Sequence, residues 1–116
     1  MSSEKRKLQR RHLIYYLRVF DRETNEVLGH LINISPAGIM LMSEEPIETN
    51  KIFKLRMDLP VEISEKTEIL FDAESRWTKK DVNPEFYDTG FFIINLSYQD
   101  GRLIEQLIDD YGFRSY

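Results

Sequence analysis

The sequence predicts an all-β-dominated fold: a six-stranded antiparallel β-barrel with one C-terminal α-helix packed on it. Three observations carry this expectation. Short apolar runs rich in β-branched and aromatic residues recur between turn signals from Leu13 onward. Residues 67–79 alternate apolar with polar side chains, the period of a sheet with one wet face. The final segment then changes to a helical period.

The elements follow in order. "HLIYYLRVFD" is the first expected strand, and "RETNE" is a polar connection to "VLGHLINI". "SPAG", residues 35–38, reads as a type I turn, with Ser, Pro and Gly at the corners that favour them. "GIMLMS" follows as strand three; "EEPIETN" is a loop and "IFKLRMDL" strand four. In "TEILFDAESRWTK", Ile69, Phe71, Ala73, Ser75 and Trp77 share one face, so Trp77 is expected to fill the barrel with Phe71 and Phe92. "KKDVNPEFYDT" reads as a loop, and "GFFIINL" as a sixth strand buried on both faces. Leu103, Leu107 and Tyr111, spaced by four, make one stripe of a helix over about 98–111. Ser97 and Asp100 outline its capping box, and Gly112 a left-handed stop. Closing the sheet would remove exposed strand edges.

Composition narrows the function classes. The chain has 116 residues, enough for one core, and no cysteine, which excludes disulfides, thiolate zinc sites and a thiol nucleophile. Two histidines, His12 and His30, do not make a histidine metal cluster, and His30 reads as a packed or surface residue. The neighbouring acids Glu44–Glu45 and Asp109–Asp110 have no third ligand to complete a hard-cation site. No apolar run approaches the roughly 20 residues of a membrane span. Neither does "MSSEKRKLQRR" lead into a signal-type segment, so a cytoplasmic location is expected. Net charge is −4 but uneven: residues 1–12 carry +4, and the remainder −8. The chain therefore divides into a basic arm, 1–12, and a single domain, 13–116. A basic arm suits an anion, while an acidic body disfavours a broad nucleic-acid surface. No nucleophile–base pair or phosphate-cradling glycine loop is visible, so no enzyme is expected.

Two motifs remain. The arm holds Arg6 and Arg10 in an RxxxR spacing, with Lys7 and Arg11 in the same spacing one residue on. Asn33, Ser35 and Gly38 form an NxSxxG spacing between strands two and three. In this order, with Arg76-Trp77, Gly90–Phe92 and a terminal amphipathic helix, they resemble the PilZ domain family, bacterial receptor modules for cyclic di-GMP. The resemblance covers nearly the whole chain. It implies a noncatalytic receptor that binds cyclic di-GMP without a cofactor and signals to a downstream protein partner. By that resemblance Arg6 and Arg10 clamp the ligand, Arg11 substitutes for or supplements them, and Asn33 and Ser35 hydrogen-bond it. Gly38 would hold the turn open. The chemistry agrees, because guanidinium groups meet phosphate and guanine O6/N7 bidentately and stack on purines. The alternatives are a PilZ-like protein-interaction module that binds no nucleotide, and a small barrel that binds single-stranded nucleic acid. A simpler role for Asn33 and Ser35 is to cap the turn through local backbone hydrogen bonds.

Overall fold

Polar turns with residues at positive φ separate the strands, as at Asn25 (φ 62°) and Asn50 (φ 60°). The structure, a computed structural model, describes residues 17–35, 37–59 and 66–111, with the side chains of 108, 110 and 111 outside the description. Six strands, β1 (Arg18–Asp21), β2 (Glu26–Ile34), β3 (Gly38–Ser43), β4 (Ile52–Asp58), β5 (Glu68–Lys80) and β6 (Tyr87–Asn95), precede one helix, α1 (Tyr98–Tyr111). The strands form a closed barrel in the order β1-β2-β3-β6-β5-β4, and every neighbouring pair is antiparallel. The short β1 closes it, with Val19 opposite Met57 on β4 and Gly29 on β2.

The period of two fills the interior. Leu31, Leu41, Leu55, Met57 and Ile69 are fully buried, and Phe53 and Phe91 meet edge to face at 5.8 Å. Helix α1 starts on Ser97, whose Oγ accepts the Asp100 N–H at 3.1 Å, so the predicted cap forms. The Asp100 carboxylate, rather than returning to Ser97, pairs with Lys66. Ile104 and Leu107 are buried and Leu103 partly so, which makes this stripe the helix's contribution to the core.

Three expectations are corrected. Strand β6 starts at Tyr87, three residues inside the expected loop, because Tyr87, Asp88 and Thr89 pair with both β3 and β5. From Phe91 onward it is also buried on one face only: Phe91 and Ile93 point inward, while Phe92 and Ile94 are 46% and 49% exposed. Trp77 is 40% exposed and does not fill the barrel. Ile69, Phe71, Ala73 and Ser75 keep the inward phase, but the register shifts between Ser75 and Trp77, and that bulge at Arg76 turns the indole outward. The first strand is described only from Arg18; the expected residues 12–16, with His12, and the Gly112 stop lie outside the described residues. His30 is half-buried on β2.

One buried polar side chain stands apart. Asp88, 8% exposed, lies between Met42 and Lys79 in register, and its Oδ1 is buried without a hydrogen-bond partner. Burial, then hydrogen bonding to Asp81 and the charge of Asp81, raise its pKa to about 6; Lys79 opposes the shift. The folded state therefore holds a proton on Asp88 that the unfolded chain, near 3.8, releases earlier. Stability from this site is present at acid pH, falls as pH rises from about 4 to about 6, and stays low above that. Asp88→Asn should accordingly be more stable than the wild type at pH 7, by on the order of 1–3 kcal/mol. The gain should shrink toward pH 4 in urea melts at both pH values. An equal gain at both would exclude the ionisation as its source.

Candidate functional site

The turn between β2 and β3 is built by a register change. Leu31 pairs with Leu41 and Asn33 with Met40, so Ile32 is the extra residue of a bulge. Without it, strict alternation from the inward Leu31 would drive Asn33 into the core and expose Ile34. With it, Ile34 is 3% exposed and Asn33 lies on the outer face, half-buried; Ser35, the next outward residue, is exposed. Asn33 and Ser35 thus share one side of the barrel.

Both side chains are engaged locally. Asn33 Oδ1 accepts the Ile34 N–H at 2.8 Å. Ser35 Oγ accepts the Gly38 N–H at 3.2 Å, and the backbones of Ser35 and Gly38 exchange hydrogen bonds of 2.8 and 3.2 Å. The turn closes as expected, although Pro36, on which its type depends, lies outside the described residues. Gly38 meets a further constraint from the neighbouring strand. A Cβ there would lie 2.5 Å from the Phe91 carbonyl oxygen, so the close approach of β6 requires the glycine.

The arm's root is fixed beside this turn. Leu31 donates its N–H to the Leu17 carbonyl at 2.9 Å, two residues before Asn33. Arg6, Arg10 and Arg11 themselves lie outside the described residues. Arg10 and Arg11 are six or seven residues from Leu17, a reach of roughly 20–25 Å.

Extending outward from Asn33, the register defines one row across four strands: Asn33, Met40, Gly90 and Trp77. Three strand spacings make it about 14 Å long. Its far end was misread in the sequence, where Trp77 looked like a core residue. The indole lies over Gly90 so closely that a Cβ at 90 would be 2.4 Å from the ring. Glycine opposite tryptophan is therefore the signal in the sequence, but the bulge at Arg76 is needed to read it. Lys79 sits over the same ring at 5.4 Å from its centre, and Arg76 over Phe92 at 4.9 Å while pairing with Glu74 at 2.8 Å. The face thus offers an amide, a hydroxyl, a flat indole and two cations, a set suited to a planar, anionic ligand. Among the described residues, no group of three or more His, Asp or Glu is arranged to hold a metal ion. No described helix is long and apolar enough to cross a membrane.

The PilZ domain family profile matches residues 4–110. Among solved structures, the inhibitor of motility MotI/DgrA from Bacillus subtilis is similar at 18% identity and a TM-score of 0.65, over 86% of this chain and 48% of that one. MrkH of K. pneumonia, in its apo state, is 21% identical with a TM-score of 0.61, over 77% of this chain and 42% of that one. The PilZ domain of Escherichia coli YcgR, solved with c-di-GMP, is 15% identical with a TM-score of 0.61, over 85% of this chain and 84% of that domain. The chain thus spans about half the length of MotI and less of MrkH, and these likenesses establish the fold. Comparison with curated protein sequences finds no match.

Trp77 is the single tryptophan, so its seat can be watched directly. Gly90→Ala should lift the indole off the sheet and shift its emission to the red, at a cost of about 1–3 kcal/mol. Unchanged emission in the folded variant would mean that the ring does not depend on the missing Cβ.

Proposed function

The chain belongs to the PilZ domain family, and on that premise we propose that it is a noncatalytic, cytoplasmic receptor for cyclic di-GMP. In this reading residues 1–12 are a basic arm on the barrel domain. Arg6 and Arg10, aided by Arg11, close over the turn carrying Asn33, Ser35 and Gly38. Arginine forks take the phosphates and guanine edges, while Asn33 and Ser35 exchange their local backbone bonds for bonds to the ligand. Trp77 supplies a stacking face for a purine at the far end of the row. Ordering of the arm changes the exposed surface, and a partner protein responds to that change.

The observation that carries the reading is the bond from Leu31 to Leu17, which roots the arm two residues from Asn33. The ligand of the similar YcgR domain supports the choice of nucleotide. A second reading, an interaction module that binds no nucleotide, is favoured by one fact: Asn33 and Ser35 already cap their own turn.

Calorimetric titration with cyclic di-GMP separates the two. Arg10→Ala should lose about 1.5–3 kcal/mol, roughly ten- to hundredfold in affinity. Trp77→Ala should lose about 1–3 kcal/mol if a base stacks there. A flat titration with folded wild-type protein would select the nucleotide-free module. Equal affinity of wild type and Arg10→Ala would remove that arginine from the site.

A further inference from the structure

At the other end of β2 and β3 from the Asn33–Gly38 turn lies a groove of about 980 Å³, between the start of β2, the loop after β3 and the β5–β6 connection. Leu28, Met42 and Phe86, all half-buried, are among its apolar lining. Its rim is acidic: Glu26, Glu44, Glu45, Glu48 and Glu85 are all exposed. Among the described residues, ion pairs are made by other carboxylates, such as Asp72, Glu74 and Asp100, and not by these five. The basic residues of the lining are His30 and Lys51, and the Lys51 ammonium is drawn 4.9 Å over the Phe53 ring. Five like charges around an apolar recess repel one another and favour a cationic occupant.

The chain supplies one of the right sign. Residues 1–12 carry +4, with Leu8 set among Lys5, Arg6, Lys7, Arg10 and Arg11. The arm joins the barrel between the two sites. Leu17 is bonded to Leu31, next to the turn, while Arg18 pairs with His30, which lines the groove. Extended, residues 1–16 reach about 50 Å, beyond the longest dimension of 41 Å. The same cations can therefore serve either end.

We propose that in the nucleotide-free protein the basic arm docks in this acidic groove, and that cyclic di-GMP draws it across to the Asn33–Gly38 turn. The docking stands on charge, chain length and the arm's root alone; the exchange rests on the receptor reading. The groove then competes with the nucleotide for the same side chains. Apparent affinity is lowered by the fraction of arms docked, and the groove is uncovered on binding. The signal to a partner is the unmasking of an acidic, apolar-floored recess.

Carbodiimide cross-linking of the full chain tests this, because it joins a lysine amine to a carboxylate held in contact with it. Mass mapping should find Lys5 or Lys7 linked within one chain to Glu44, Glu45, Glu48 or Glu85. Links to Glu105, an exposed carboxylate elsewhere, should be at least fivefold rarer. Glu44→Gln/Glu45→Gln/Glu85→Gln should remove most groove links and tighten cyclic di-GMP binding severalfold. Saturating nucleotide should remove the groove links from the wild type. Links spread evenly over all exposed acids, or found only between two chains, overturn the docking. Groove links that persist under saturating nucleotide overturn the exchange. A protein that binds no nucleotide yet forms the links retains the docking and loses the receptor reading.

Discussion

A closed sheet obliges each strand to alternate its side chains between core and solvent, and this barrel's outer face depends on where that rule is interrupted. Extra residues at Ile32 and Arg76 reset the phase within β2 and β5. Each reset has a definite product. The first lets Ile34 stay in the core while Asn33 goes outward; the second lets Ser75 stay buried while Trp77 goes outward. Neither residue could be presented by an unbroken strand without sacrificing an inward neighbour. The outer row from Asn33 to Trp77 thus exists because two strands were each lengthened by one residue.

Ser75 shows how the second reset is held. Fully buried, it donates its hydroxyl to the Glu48 and Lys51 carbonyls at 2.6 and 3.2 Å, and its backbone exchanges bonds with the same loop. The loop after β3 is therefore tied to β5 one residue before the bulge. A polar side chain at an inward position is satisfied here by loop backbone that the barrel's strands leave unpaired.

Much of the architecture was legible in the sequence because it rests on local signals. Six runs, the turn at Ser35–Gly38, the capping serine at 97 and the stripe through Leu103 and Leu107 all follow from spacing and turn chemistry. The errors have separate causes. Trp77 shares a period-two phase with inward residues, and the bulge that turns it outward is a tertiary event with no fixed residue signature. Phe92 sits in a continuous apolar run, which hides the plain alternation that leaves it outward between Phe91 and Ile93. The start of β6 was missed because Asp88 looks like loop and is paid for only by its neighbours in the sheet. The turn residues Asn33, Ser35 and Gly38 were legible as a motif. The further constraint on Gly38 was not, since the Phe91 carbonyl comes from a strand far along the chain.

The contact between Trp77 and Gly90 carries an evolutionary corollary. The ring occupies the volume in which any other residue at 90 would put its first side-chain carbon. The two positions therefore cannot drift independently: an aromatic ring at 77 demands emptiness at 90, and a substituent at 90 becomes admissible only after the ring has gone. Descendants of this barrel should exchange the pair as a unit, and a glycine in mid-strand marks which ones have kept the outward-lying ring.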